Sequence, residues 1–273
     1  GRGIVRLDRD SKVIWAVQNR AHHDLVVAPD GGVAVLTREG SVIPELNASK
    51  PVLRDFIEFL DANGQVTRRV DLLTALLDSE HAAAFKALGR KGGDVFHTNS
   101  LVFLDGAAAA LHPAFQPGRA LVSMRNLNAI GVVDLQTERF VWVHQGEYAK
   151  QHDASVLPDG RLMLFDNTGK PRTSRVLIYE LPSMRLAWSY AGTEEAPFRS
   201  ATLGTVQGLP TGNLLVTESE GGRAFELTPQ GEIVWELYNP HRAGENGEFI
   251  AALFEVIRLP PDTDLSWMPA GAP

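Results

Sequence analysis

One short pattern of residues recurs along this chain, and a chain written that way must set similar units side by side. The pattern is an acidic or polar turn, a short apolar run and a tryptophan. It occupies residues 8–15, 134–142, 181–188 and 229–235, with a weaker copy at 61–66 that lacks the tryptophan. Four of the five tryptophans fall on it, which scattered core residues would rarely do. A second pattern follows: an apolar strand, a Pro-x-Gly turn and another strand. Its copies turn at Pro29-Asp30-Gly31, Pro158-Asp159-Gly160 and Pro210-Thr211-Gly212, and Ile257-Arg258-Leu259-Pro260 begins one more. Runs rich in Val, Ile, Leu and Phe between such turns are strand signals. A unit this small cannot bury its own apolar faces and needs its neighbours to do so.

Aligned on the turn proline, the units start near residues 23, 97, 152, 204 and 254. The later spacings, about 50 residues, match a propeller blade of four strands. The expected fold is therefore all-β: a single β-propeller domain over residues 1–260, five blades visible and six in the intact protein, followed by a coil at 261–273. The first interval is longer. Its excess has helical spacing of apolar residues, which predicts a short helix inserted around residues 70–89. The two ends of the chain could share one sheet and close a five-bladed ring; otherwise an N-terminal blade is missing.

Composition narrows the function. A net charge of −7 argues against nucleic-acid binding, which needs a basic face to displace counterions. There is no cysteine, so disulfide and thiolate chemistry are excluded. No apolar run approaches the roughly 18 residues of a membrane span. The first six residues read as the middle of a strand rather than a signal peptide, so the chain is expected to be part of a longer precursor.

In a propeller the first strand of each blade lines the central channel, so residues that start these strands converge at one mouth. His23 and His152 each stand six residues before a turn proline. His97 starts the intervening blade, with its register open by one residue because that blade lacks the proline. The next two blades carry Gly204 and Phe254 there. The histidines thus occupy three successive blades and stop. Arg125 ends the second strand of the His97 blade, and Asp166-Asn167 and Glu218-Ser219 end the equivalent strands of later blades. Three imidazoles and a guanidinium suit an oxyanion: Arg offers a planar fork of donors, and His titrates near neutrality. The plain alternative for any one histidine is a turn cap or a backbone bond. Three histidines also suit Zn²⁺, which a nearby Arg disfavours. Of His22 and His23, alternation along a strand puts one toward the channel, and the register selects His23. Asp24 and Asp153 are expected to hold their blade turns through backbone bonds, and the tryptophans to pack blades.

His22-His23-Asp24, Phe96-His97-Thr98-Asn99-Ser100, Ser123-Met124-Arg125 and Gln151-His152-Asp153 with Leu164-Phe165-Asp166-Asn167 occur in the order found in bacterial arylsulfotransferases. The chain resembles that family from about residue 3 to residue 240. The resemblance implies a six-bladed propeller exported to the periplasm or cell surface, working without a cofactor. It implies ping-pong transfer of a sulfuryl group from an aryl sulfate donor to a phenolic acceptor. Carried over, the sulfated histidine is His152, supported by His23, His97 and Arg125, with Asn167, Asn99 and His22 as substrate-binding residues. The chain is shorter than well-known members and lacks their N-terminal β-rich domain and their cysteine pair. The competing classes are a non-catalytic propeller for ligand binding or scaffolding, which predicts histidines scattered around the ring, and a quinone-dependent propeller, for which the chain is short.

Overall fold

The computed structural model describes residues 1–44, 46–83, 92–170, 173–266 and 268. The chain opens with a two-stranded antiparallel sheet, β1 (Ile4–Leu7) and β2 (Val13–Val17). The first blade follows as β3 (Ala21–Val27), β4 (Val33–Ile43), β5 (Asn47–Leu60) and β6 (Val66–Asp71). After helix α1 (Leu72–Leu77) comes β7 (Gly93–Asp94), which pairs in parallel with β5. The second blade is β8 (Thr98–Phe103), β9 (Arg119–Met124), β10 (Ala129–Asp134) and β11 (Arg139–Gln145). The third is β12 (His152–Val156), β13 (Leu162–Asp166), β14 (Arg175–Glu180) and β15 (Arg185–Tyr190). The fourth is β16 (Thr205–Gly208), β17 (Leu214–Glu218), β18 (Arg223–Leu227) and β19 (Ile233–Tyr238), followed by a small hairpin of β20 (Arg242–Ala243) and β21 (Phe249–Ile250).

Each blade is an up-and-down antiparallel sheet in chain order. The middle strands are apolar on both faces because each blade is sandwiched between neighbours. Leu36, Ile57, Val122, Met124 and Leu101 join the first blade to the second. Leu121, Ile130, Leu162, Leu164 and Tyr148 join the second to the third. Phe165, Phe198, Val216 and Phe225 join the third to the fourth. The Pro-x-Gly turns close the inner hairpins, and Gly31, Gly160 and Gly212 take φ of 82°, 84° and 86° there, a conformation that glycine adopts at little cost. The repeated tryptophans tie blades together: Trp15 Nε1 donates to Ala62 O at 3.0 Å and Trp188 Nε1 to Pro229 O at 2.9 Å, each reaching a turn of the following blade.

The expectation of five visible blades is corrected. Four sheets carry a full set of four blade strands, and β1–β2 is a two-stranded piece packed on the first blade through Ile4, Trp15 and Val17. Of residues 249–260, expected as an inner strand, 249–250 pair in the small hairpin and 251–260 form no ladder. They are tied to the fourth blade by Leu253 N–H to Ser219 O and Val256 N–H to Thr217 Oγ1. Among the described residues, no ladder joins the two ends of the chain. The inserted helix is present but short. Asp71 caps it by accepting from Leu73 N–H and Thr74 N–H, and Leu72, Leu73, Ala75 and Leu76 are buried. Residues 84–89 of the expected helical segment lie outside the described residues.

Candidate active site

The inner strands β3, β8, β12 and β16 run side by side, and their first residues share one end. Their register can be counted from the ladder pair beside each hairpin turn: Val27↔Val33, Phe103↔Ala120, Val156↔Leu162 and Gly208↔Leu214. Four residues before these pairs stand His23, Asn99, His152 and Gly204. Five residues beyond them on the second strands stand Arg38, Arg125, Asn167 and Ser219. His97 is therefore two residues ahead of the repeat position, which Asn99 occupies.

The ladder breaks where the site begins. Register shifts fall between Ala21 and Leu25, Thr98 and Ser100, and His152 and Ser155. His23, His97 and Asp153 lie at or beside these breaks with φ of 56°, 52° and 50°. Non-glycine residues held in that region cost about 1–3 kcal/mol each and cluster at functional sites, and a bulge re-aims the side chains around it. In β3 the bulge is one residue larger than in β12, which accommodates the second histidine of the pair.

Hydrogen bonds between blades hold the bulges in place. Asp24 Oδ2 accepts from Leu101 N–H at 2.7 Å, Ser100 Oγ from Ala154 N–H at 3.2 Å, and Asp153 Oδ2 from Val206 N–H at 2.5 Å. Asp24 also accepts from its neighbour Leu25 N–H through Oδ1 at 2.7 Å, so it holds its own bulge as well as the next blade, whereas Asp153 reaches the next blade.

His152 is 6% exposed. Its Nδ1 lies 2.8 Å from Asn167 Oδ1 and 3.0 Å from Lys150 O. The Asn167 amide nitrogen donates to Ser200 O and Leu203 O, which fixes the amide's orientation. Two oxygen acceptors face Nδ1, so Nδ1 carries the hydrogen and Nε2 the lone pair. Burial lowers the pKa of His152 to about 4; the bonds to Asn167 and Lys150 oppose this, while the charges of Arg125 and His97 add to it. At neutral pH the ring is uncharged and its lone pair is at Nε2.

His97 is held differently. Its Nδ1 donates to Asp94 Oδ2 at 2.6 Å. Burial alone would raise the Asp94 pKa, but the hydrogen bond and charge of His97, together with Arg38, hold it below the ordinary carboxylate value. The His97 ring lies 4.7 Å from that of His23, centroid to centroid, and the His23 ring lies 5.0 Å from that of His22. His22 Nδ1 and His23 Nδ1 are 2.7 Å apart and share one hydrogen. Behind them, His22 Nε2 and Asp55 Oδ1 are 3.7 Å apart, both buried and without a hydrogen-bond partner among the described residues. Burial lowers His22 to about 3, with Arg38 and His23 adding, and lowers His23 to about 4, with His97 and Arg38 adding.

The structure brings His22, His23, Asn99 and His152 to the wall of one cavity of about 550 Å³, together with Arg38, Asp153 and Glu255. That volume suits a small ligand. The expectation that only one of His22 and His23 faces the channel is corrected: both line it. Asn167, His97 and Arg125 are not among the residues that line it. Asn167 stands buried behind His152, with its amide fully engaged. Asn99 donates to Gln151 O at 2.8 Å, while its Oδ1 is buried without a partner. Arg125 begins a 3₁₀ turn, donates through Nη1 to Asn126 Oδ1 at 3.0 Å, and acts on His152 through its charge. Reading the sequence for site residues missed Arg38 and Asp94. The register that picks out Arg125 also picks out Arg38. Asp94 carries no such signal, because β7 reaches the site only by pairing with the extension of β5.

The family model for arylsulfotransferase (ASST) matches residues 1–242. The chain belongs to the arylsulfotransferase family. No curated protein sequence matches it. Among solved structures, this arylsulfotransferase-family chain is similar to the Cps50 (Swd1) β-propeller domain of Myceliophteria thermophila, at 15% identity and a TM-score of 0.51 over 89% of this chain and 68% of that one. It is similar to a protein of unknown function from Bacteroides caccae, at 12% identity and a TM-score of 0.51 over 86% and 74%. A catalytically inactive virginiamycin B lyase from Staphylococcus aureus with quinupristin is a further neighbour, at 13% identity and a TM-score of 0.50 over 88% and 64%. These likenesses establish the propeller fold. The chain spans between 64% and 74% of the length of these neighbours.

Proposed function

We propose that this arylsulfotransferase-family protein moves a sulfuryl group from an aryl sulfate to a phenol in two steps through His152, in an exported, periplasmic or cell-surface setting. The observation that carries the reading is the geometry at His152: a buried ring whose Nδ1–H faces two oxygens, so that Nε2 keeps its lone pair on a cavity that Arg38 also lines.

In the first step Nε2 attacks sulfur, the N–S bond forms and the bond from sulfur to the phenolic oxygen breaks. The ring becomes cationic, and Asn167 Oδ1 and Lys150 O stabilise the charge at Nδ1. Arg125 neutralises charge on the sulfuryl oxygens, as Arg clamps do in phosphoryl transfer. The departing phenolate takes a proton from His97 Nε2, and Asp94 stabilises the charged His97 that supplies it. In the second step an acceptor phenol returns a proton to His97, its oxygen attacks sulfur, and the N–S bond breaks to restore His152. The split through a covalent intermediate replaces one difficult step by two easier ones. Histidine rings within about 5 Å of one another support this reading over a scaffold with scattered histidines.

The test is a single turnover with para-nitrophenyl sulfate, followed by intact mass. A sulfuryl adduct on the wild type and none on His152→Asn, with loss of nitrophenol release, is expected. An unmodified wild type that still transfers would remove the sulfohistidine from the mechanism.

A further inference from the structure

The cavity does not end at the histidines. Arg38 also lines an adjoining groove of about 810 Å³, whose walls include Arg2, Gln18 and Arg20. The groove therefore adjoins the site along Arg38. In a chain with a net charge of −7, three guanidinium groups on one groove reverse the local sign. Among the described residues, Arg2 and Arg20 engage each other through backbone, Arg20 N–H to Arg2 O at 3.2 Å, and their side chains have no ion-pair or hydrogen-bond partner. Arg38 is less committed than a structural arginine: its Nη1 reaches Asp94 Oδ2 only at 3.4 Å, and its Nε is buried without a partner among the described residues.

The reaction at His152 leaves these groups without a role. Arg125 already acts on His152 through its charge, and the cavity of about 550 Å³ has room for more than one aromatic ring. Arg20, with φ of 58°, stands immediately before Ala21-His22-His23 at the rim. We propose that the groove holds a second, oxyanionic substituent of the phenolic substrate, such as a carboxylate, while the reacting oxygen lies at His152. This rests on the sulfuryl-transfer reading and adds a substrate class to it. Arg matches a planar carboxylate with two parallel hydrogen bonds, and a basic rim on an acidic protein raises the local concentration of anionic substrate. Because donor and acceptor occupy a ping-pong site in turn, the same groove serves both.

The experiment compares two acceptors, para-hydroxyphenylpropanoate and its amide, with para-nitrophenyl sulfate as donor. Both are measured on the wild type and on a double variant, Arg2→Gln with Arg20→Gln. The wild type should favour the carboxylate by about tenfold in kcat/KM, chiefly through KM, with the preference shrinking as salt rises from about 50 to about 300 mM. In the double variant the ratio should approach one. Equal ratios in the two proteins would overturn the groove and leave sulfuryl transfer standing. Calorimetric binding of the two acceptors, without donor, separates the claims. Carboxylate-selective binding that the double variant loses supports the groove even where no sulfuryl moves, and equal binding of acid and amide to the wild type overturns it.

Discussion

At the start of β12 stands His152, with Asn167 behind it; at the equivalent start of β16 stands Gly204, with Ser219 behind it. Both follow the same backbone plan: a broken ladder or a positive φ, a short inner strand, then a Pro-x-Gly turn. The difference lies underneath. A Cβ on Gly204 would come within 2.6 Å of the Phe165 ring, which packs edge-on to Phe198 at 5.3 Å and joins the third blade to the fourth. The propeller offers a mouth position on every blade, but a polar side chain stands only where inter-blade packing leaves space for it. The fourth blade is a wall, and the first three carry the candidate site.

The largest expected effect breaks the third blade's side of the comparison. Arg125→Gln should lower kcat/KM by about 10³-fold, the scale of a lost charge-stabilising donor, with the His152 pKa rising once the neighbouring cation is gone. A pH–rate profile reads both. Next, Gly204→His tests whether the fourth blade can be given a histidine. It should destabilise the fold by about 3 kcal/mol, through the clash with Phe165 and the strained φ, visible as a lower denaturation midpoint.

Smaller again, Asn167→Ser writes the fourth blade's residue into the third. The tautomer lock is lost, and a tenfold to hundredfold fall in turnover is expected, roughly 1.4–2.7 kcal/mol. The bond from Asn167 raises the His152 pKa, so the acid limb of the profile, near pH 4 in the wild type, should move lower. A merely structural asparagine would leave that limb in place.

The smallest effect concerns pH and stability. The folded-state pKa values of His22 and His152, about 3 and about 4, lie below the ordinary 6.5, chiefly through burial. The unfolded chain therefore takes up protons that the folded chain refuses. The stability from these groups is complete above pH 6.5 and is lost as pH falls toward 4 and 3. His23, lowered to about 4 by desolvation in the ring cluster, still keeps surface exposed to solvent at the rim, and should contribute less. Burial raises Asp153 to about 7, against an ordinary 3.8, and works the other way: its contribution is present below pH 3.8 and lost as pH rises through about 7. Hydrogen exchange at pH 4.5 should show the first three blades loosening before the fourth, and Asp153→Asn should flatten the alkaline decline in melting temperature.

Much of this was legible in the residues. The tryptophan and Pro-x-Gly patterns specify strands, turns and blade order because each is local chemistry. His152 follows from counting back from its turn, Arg125 and Asn167 from closing their strands, and Arg38 lay within reach of the count on the first blade; that Asn167 is recessed behind His152 rather than on the wall did not show. The second blade resisted it. Residues 104–118 replace the tight proline turn there, so nothing local indexes β8, and His97 was matched to a place that Asn99 fills. Blade number was not legible at the chain's ends, where a strand signal does not say whether a ladder partner exists. Asp94 depends on a parallel pairing between β5 and β7, more than 40 residues apart, and no spacing in the sequence announces it.

The bonds from Asp24, Ser100 and Asp153 all point the same way, each blade's bulge holding the first strand of the blade after it. Positional error in such a series accumulates in one direction. A shift in the first blade is handed on to β8 and then to β12, whereas a shift in the fourth is handed to nothing that reacts. Insertions and sequence drift are therefore best tolerated downstream of Val206, and the earliest inner strand, the one with the paired histidines, has the least freedom to change.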